Sequence, residues 1–170
     1  MKKRMRKDGG FTLVELLIVV IILGVLAAVA IPQFGSSTDD AKLATLDANL
    51  AQVRNSIELY FHEHNSVYPG VNSSVDNSAA ALGVCNTSLP LQLTKYTTLT
   101  DHTALNAYAA GQKGPYIKIK FPDNPFTGTN LVVCDDTNDI SVAAAAGPEA
   151  WRFYRVTGKF IANTAAHVTR

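Results

Sequence analysis

The chain has 170 residues with a formal charge of +1, and 47% of its residues are hydrophobic. That length suffices for one domain with a real core, and the near-neutral balance gives no case for a nucleic-acid partner. No nucleophile motif, Gly-rich phosphate loop or Cys-x-x-Cys pair is present, so no enzyme is expected.

Charge and hydropathy are both uneven along the chain. Residues 1–10 hold Lys2, Lys3, Arg4, Arg6 and Lys7 against Asp8. Without them, 10 basic and 13 acidic residues remain, a charge of −3. Residues 11–31 read FTLVELLIVVIILGVLAAVAI. As a helix this run spans ~30 Å, the thickness of a bilayer's hydrocarbon core. The basic residues before it stay on the cytoplasmic side. A secretory signal has a shorter apolar region and is discarded. Here the helical pattern resumes beyond Pro32, so the span is expected to be kept.

Glu15 stands out within the run. A carboxylate in a bilayer costs several kcal/mol and marks function by default. A cut between Gly10 and Phe11 would create an α-amine near it, and a neighbouring copy's amine could neutralise the carboxylate. The alternative is a Glu that reaches back to the interface.

Downstream, Leu43, Leu46, Leu50, Val53, Ile57 and Tyr60 are spaced 3, 4, 3, 4, 3. That is the buried stripe of an amphipathic helix running from Ala41 to about His64. Pro32 lacks an N–H, so a kink or local melting is expected between Gly24 and Pro32. A Tyr-Pro-Gly turn closes the helix at 65–70. Residues 71–112 are rich in Asn, Ser, Thr and Ala and read as an irregular connection, with weak helical patches at 76–83 and 99–109.

Strands are expected late. Tyr116–Phe121 (YIKIKF) alternates apolar and basic residues. Thr129–Cys134 and Ala150–Thr157 follow, and Arg152–Ala162 reads as a hairpin through Gly158. The fold class is therefore α+β. A long N-terminal transmembrane helix packs by its C-terminal half on a small antiparallel sheet.

Cys85 and Cys134 lie beyond the span, outside the cytoplasm if the basic end stays inside, where a disulfide is plausible. Two free buried thiols are the alternative. Glu58 and His62 sit one helical turn apart near His64, without a third spaced ligand, which reads as a solvated helix end.

The string GGFTLVELLIVV at residues 9–20 resembles the class III signal of type IV prepilins and type II secretion pseudopilins. The resemblance covers residues 1 to about 35. It implies a leader at 1–10, a core helix at 11–32, its amphipathic continuation at 33–64, and a head at 65–170 with a connection at 65–112 and a sheet at 113–165. It implies that a prepilin peptidase cuts after Gly10 and that the new amine of Phe11 is methylated. Phe11 and Glu15 then serve assembly, and Gly24 and Pro32 loosen the helix. The implied function is a structural subunit of a pilus-like filament, with a secretion pseudopilin as the alternative. A membrane-tethered periplasmic binding domain is the more distant alternative. The implied partners are other copies of the chain, an inner-membrane platform and a cytoplasmic ATPase. The implied location is the inner membrane before assembly, then an extracellular pilus or periplasmic pseudopilus.

Major pseudopilins hold calcium in a loop between late strands. Asp135, Asp136 and Asp139 form an oxygen-rich loop of suitable chemistry, although it has no EF-hand Gly or closing Glu. The bland alternative is an acidic solvated turn. No other cofactor is expected.

Overall fold

The computed structural model describes residues 10–76, 82–99, 102, 104–105, 107–137, 149–164 and 166–167. The side chains of 29–37 and 82–83 fall outside that description. The chain divides into two compact units, Met1–Ala41 and Lys42–Arg170.

Helix α1, Leu13–Glu63, contributes to both units. Its backbone is helical through Gly24, Pro32 and Gly35. From Leu13 to Ala28 the helix carries apolar side chains on every side, with Glu15 the one charged residue. Each large apolar side chain from Phe11 to Leu26 is at least 49% exposed. Among the described residues no helix is long and apolar enough to cross a membrane, and the described side chains of the apolar run end at Ala28.

In the second unit the same helix is amphipathic. Leu46, Leu50, Val53, Ile57 and Tyr60 are buried, while Leu43 at the edge is half-buried. The stripe works because residues three and four apart share a helix face. The helix ends on a left-handed residue. Asn65 has φ 54°, and the Ser66 N–H donates to the Phe61 carbonyl at 3.0 Å. That six-to-one bond satisfies a terminal carbonyl the helix leaves open.

Helix α2 spans Leu82–Thr94, inside the segment expected to be irregular. Cys85, Leu89 and Leu93 recur every fourth residue and are buried. Asn86, Thr87, Ser88 and Pro90 hide this periodicity, because each is a poor helix former. Strands β1 (Tyr96–Thr97) and β2 (Ala104–Leu105) form a short antiparallel pair.

A three-stranded sheet follows, with strands β3 (Val132–Asp135), β4 (Trp151–Tyr154) and β5 (Lys159–Ala162) in that order. The β4–β5 hairpin is antiparallel, as expected. The β3–β4 pair is parallel, with Val132 opposite Trp151 and Cys134 opposite Phe153. The sheet is thus mixed, which corrects the all-antiparallel expectation. The link over 136–150 is as long as a parallel connection needs and far longer than a hairpin turn.

The expected strand at Tyr116–Phe121 does not form. The N–H groups of Tyr116 and Ile117 both donate to the Leu93 carbonyl, at 3.0 and 2.9 Å. Asn49 of α1 donates to the Asp123 carbonyl at 3.0 Å. Both ends of the segment are therefore tied to helices rather than to a strand. Ile117 and Phe121 are buried, whereas Ile119 between them is 95% exposed.

The core lies where the α1 stripe, α2 and one face of the sheet meet. Val132, Cys134, Trp151, Phe153 and Phe160 join Ile57, Tyr60 and Leu89 there. The Trp151 and Phe160 rings lie 5.4 Å apart, and the indole N–H donates to the Pro122 carbonyl at 2.9 Å. A buried indole is thereby both packed and hydrogen-bonded. The Cys85–Cys134 disulfide joins α2 to β3. It closes a loop of 49 residues, which stabilises by ~4 kcal/mol in the chain-entropy model.

Candidate functional site

The N-terminal site is built by the start of α1. Thr12 stands just before the first helical residue, and its carbonyl accepts the N–H of Leu16 at 3.2 Å. Its hydroxyl accepts the Glu15 N–H at 3.2 Å. In return the Glu15 carboxylate accepts the Thr12 N–H at 3.0 Å and the Thr12 hydroxyl at 2.8 Å. This is a capping box, in which each end satisfies an orphan donor of the other. The Thr-x-x-Glu spacing at 12–15 carries that signal in the sequence.

The box fixes where the carboxylate sits. Glu15 is held back toward the residue next to Phe11 instead of pointing along the apolar face. Gly10 and Phe11 are both exposed. Nothing lies within 4 Å of a side chain built at Gly24. Pro32 is among the residues whose side chains are not described.

The acidic loop is organised by arginines. Arg155 donates to both carboxylate oxygens of Asp136, at 2.7 and 2.6 Å. Those bonds hold the Asp136 carboxyl below the usual carboxylate range. Arg152 approaches Asp135 at 3.5 Å, and its side chain is 6% exposed. Asp139 lies outside the described residues. Among the described residues no three His, Cys, Asp or Glu side chains gather as a metal would require.

The head also contains a polar centre that sequence reasoning missed. The fully buried His64 stacks on Tyr60 with ring centroids 3.8 Å apart. Its Nδ1 lies 3.0 Å from the Tyr60 carbonyl and its Nε2 2.9 Å from the Thr97 hydroxyl. The Tyr60 hydroxyl meets Nδ1 of His102 at 2.9 Å. Tyr116 donates to Glu63 at 2.7 Å. Burial pushes the Tyr60 and Tyr116 hydroxyls well up, with the Glu63 carboxylate adding to the effect at Tyr116. Burial pulls His64 down, the Tyr60 carbonyl opposes it, and His102 pulls it down further. The expected solvated end at Glu58, His62 and His64 is thus divided. His62 is exposed and His64 is a core residue. No local signal distinguishes the two, because the partners Thr97 and His102 are more than 30 residues away.

Residues 5–31 match the family model described as the prokaryotic N-terminal methylation motif. The type II secretion system core protein G of Pseudomonas aeruginosa is 34% identical over 71 residues, 42% of this chain and 49% of that protein. The type IV narrow pilus major component PilA5 of Thermus thermophilus is 51% identical over 47 residues, 28% of this chain and 40% of that protein. The type IV major fimbrial protein FimA of Dichelobacter nodosus is 45% identical over 49 residues, 29% of this chain and 31% of that protein. The matches therefore span about half or less of the length of these curated relatives. No solved structure matches the chain. By its N-terminal methylation motif and these relatives, the chain is similar to type IV pilins and type II secretion pseudopilins over its N-terminal part.

Proposed function

We propose that this chain is the structural subunit of a type IV pilus-like filament assembled from the inner membrane. The observation that carries this reading is the methylation motif opening a helix that is apolar all round. A helix of that kind needs apolar surroundings on every side, from lipid before assembly and from neighbouring helices after it. The sequence run 11–31 has the length to span a bilayer, with its basic end in the cytoplasm.

In this reading a prepilin peptidase cuts after Gly10 and the amine of Phe11 is methylated. Glu15, already turned back by Thr12, then takes the Phe11 amine of a neighbouring copy as counter-charge. That exchange sets the axial register, because a carboxylate among apolar helices costs least where it is paired. Gly24 and Pro32 are the places where α1 would bend as copies pack. The inner-membrane platform and the cytoplasmic ATPase would drive extrusion. Mass spectrometry of the N-terminus in purified membranes tests the processing step. The expected mature chain begins with N-methyl-Phe11, and a chain beginning at Met1 or near residue 31 would contradict it.

A second reading is a periplasmic pseudopilin for protein secretion. One observation favours it. The likeness to secretion core protein G runs over 71 residues, against 47 for PilA5. Deleting the gene separates the two readings. Loss of surface filaments alone supports the pilus, and loss of protein secretion alone supports the pseudopilus. Calcium at Asp135, Asp136 and Asp139 would have to compete with Arg152 and Arg155. Titration calorimetry with Ca²⁺ decides this, and a chain that gives no heat has no such site.

A further inference from the structure

The segment 116–121 has the alternation of a strand but is bound at both ends to helices, and this leaves Ile119 projecting. At 95% exposure Ile119 is presented to solvent more fully than even Phe11 at 86%. Lys118 and Lys120 flank it. Lys120 pairs with Asp123, whereas Lys118 has no ion pair among the described residues. Lys118, Ile119 and Lys120 line an open groove of about 630 Å³ together with Asn49 and Gln52 of α1 and with Pro122. A lone exposed apolar side chain needs no explanation. A projecting isoleucine between two lysines along a groove, in a chain whose charge without residues 1–10 is −3, has the form of a contact point for an acidic surface.

The same chain offers such a surface. Asp47, Ala51, Asn55 and Glu58 are spaced 4, 4, 3 along α1, and all four are exposed. At about 100° per residue they lie on the side of the helix turned away from the buried stripe. Two carboxylates thus bracket a small side chain that leaves room for a branched apolar one. A head-to-tail contact needs two unlike, complementary patches on one chain, and repetition of such a contact gives an open helical polymer rather than a closed dimer.

We propose that Ile119, with Lys118 and Lys120, docks on the outward face of α1 at Asp47, Ala51 and Glu58 in a second copy of this chain. The proposal rests on the filament reading and adds a contact between heads to the one between apolar helices. The lysines supply charge complementarity, which selects register and excludes wrong partners more than it adds affinity. Ile119 supplies the apolar burial.

The test is disulfide trapping in the full-length chain, expressed in cells that carry its assembly machinery. A chain bearing Ile119→Cys and Ala51→Cys is expected to give filaments whose subunits run as a ladder on a non-reducing gel after mild oxidation. Each single variant should run as monomer. Filaments of the double variant that yield only monomer would overturn the contact and leave the filament reading intact. If that variant makes no filaments, a charge swap decides. Lys118→Glu is expected to lower filament yield several-fold, and Asp47→Lys with Glu58→Lys in the same chain should restore it. Unchanged yield in Lys118→Glu, or a loss that the swap does not restore, would overturn the contact. Absence of filaments from the unaltered chain would overturn the filament reading, and the contact with it.

Discussion

Two stretches of one helix obey opposite rules. From Leu13 to Leu26, α1 exposes large apolar side chains on all sides. From Leu46 to Tyr60 it buries one stripe and leaves the rest polar or small except for Leu59. The backbone is the same in both, so the difference lies in what each stretch must pack against. The second stretch has found its partners within the chain, in α2, β3, β4 and β5. In the first the apolar side chains stay exposed, and twelve large ones between Leu13 and Leu26 exceed what a lone soluble molecule tolerates. In the filament reading proposed above, folding completes the head, and the N-terminal helix is completed by lipid or by other copies.

This comparison can be broken by mutation, with thermal and denaturant unfolding of the detergent-purified chain as the measurement. The largest effect is expected from Cys85→Ser with Cys134→Ser, which removes the tie between α2 and β3. The loss is about 4 kcal/mol. A loss below about 1 kcal/mol would mean that α2 is held by packing alone.

The sharpest contrast is between matched deletions. Ile57→Ala should cost the head about 3 kcal/mol through lost burial and a cavity. Ile21→Ala should leave head unfolding unchanged, because its side chain is 57% exposed and belongs to the other compact unit. Equal effects at the two positions would contradict the division.

Asp135→Ala comes next, at about 2 kcal/mol. That is less than a fully buried pair would cost, because the Asp135 side chain is 21% exposed although Arg152 is almost enclosed. Asp136→Ala should do much less, since half of the Asp136 side chain is in water.

The smallest expected effect is a pH dependence of the head. His64 has its folded pKa lowered, chiefly by burial, so the unfolded chain takes up the proton first. Stability contributed this way is present above the unfolded value near 6.5 and is lost as pH falls from there through the lower folded value. Glu63 opposes the trend, while His102 and Lys113 add to it. Unfolding temperature should therefore drop between pH 7 and 5, and His64→Gln should flatten the drop while lowering the plateau.

The sequence exposed some of this and concealed the rest for physical reasons. The α1 stripe was legible because its period comes from one helix and its partners need not be known. The cysteine pair was legible from topology, since a head expected outside the cytoplasm favours the bridge that the structure contains. The Thr12–Glu15 box was legible too, because the Thr-x-x-Glu spacing places a hydrogen-bond partner for Glu15 three residues back.

Other features were not legible. YIKIKF has a strand pattern, yet Leu93 and Asn49 hold its ends, and those bonds come from distant elements. Helix α2 is masked by Pro90 and its polar run. The parallel pairing of β3 and β4 is a tertiary choice that alternation cannot encode. The buried pair His64 and His102 depends on contacts across the head, so neither differs locally from the exposed His62.

The account rests on Glu15 acting between copies after the chain is cut at Gly10. The most direct measurement is electron microscopy of sheared surface or periplasmic filaments from cells expressing Glu15→Ala, alongside membrane fractionation of the same cells. The expected result is a chain that is still cut and inserted in the membrane, with filaments absent or severely reduced. Filaments of normal number and length from Glu15→Ala would contradict the account.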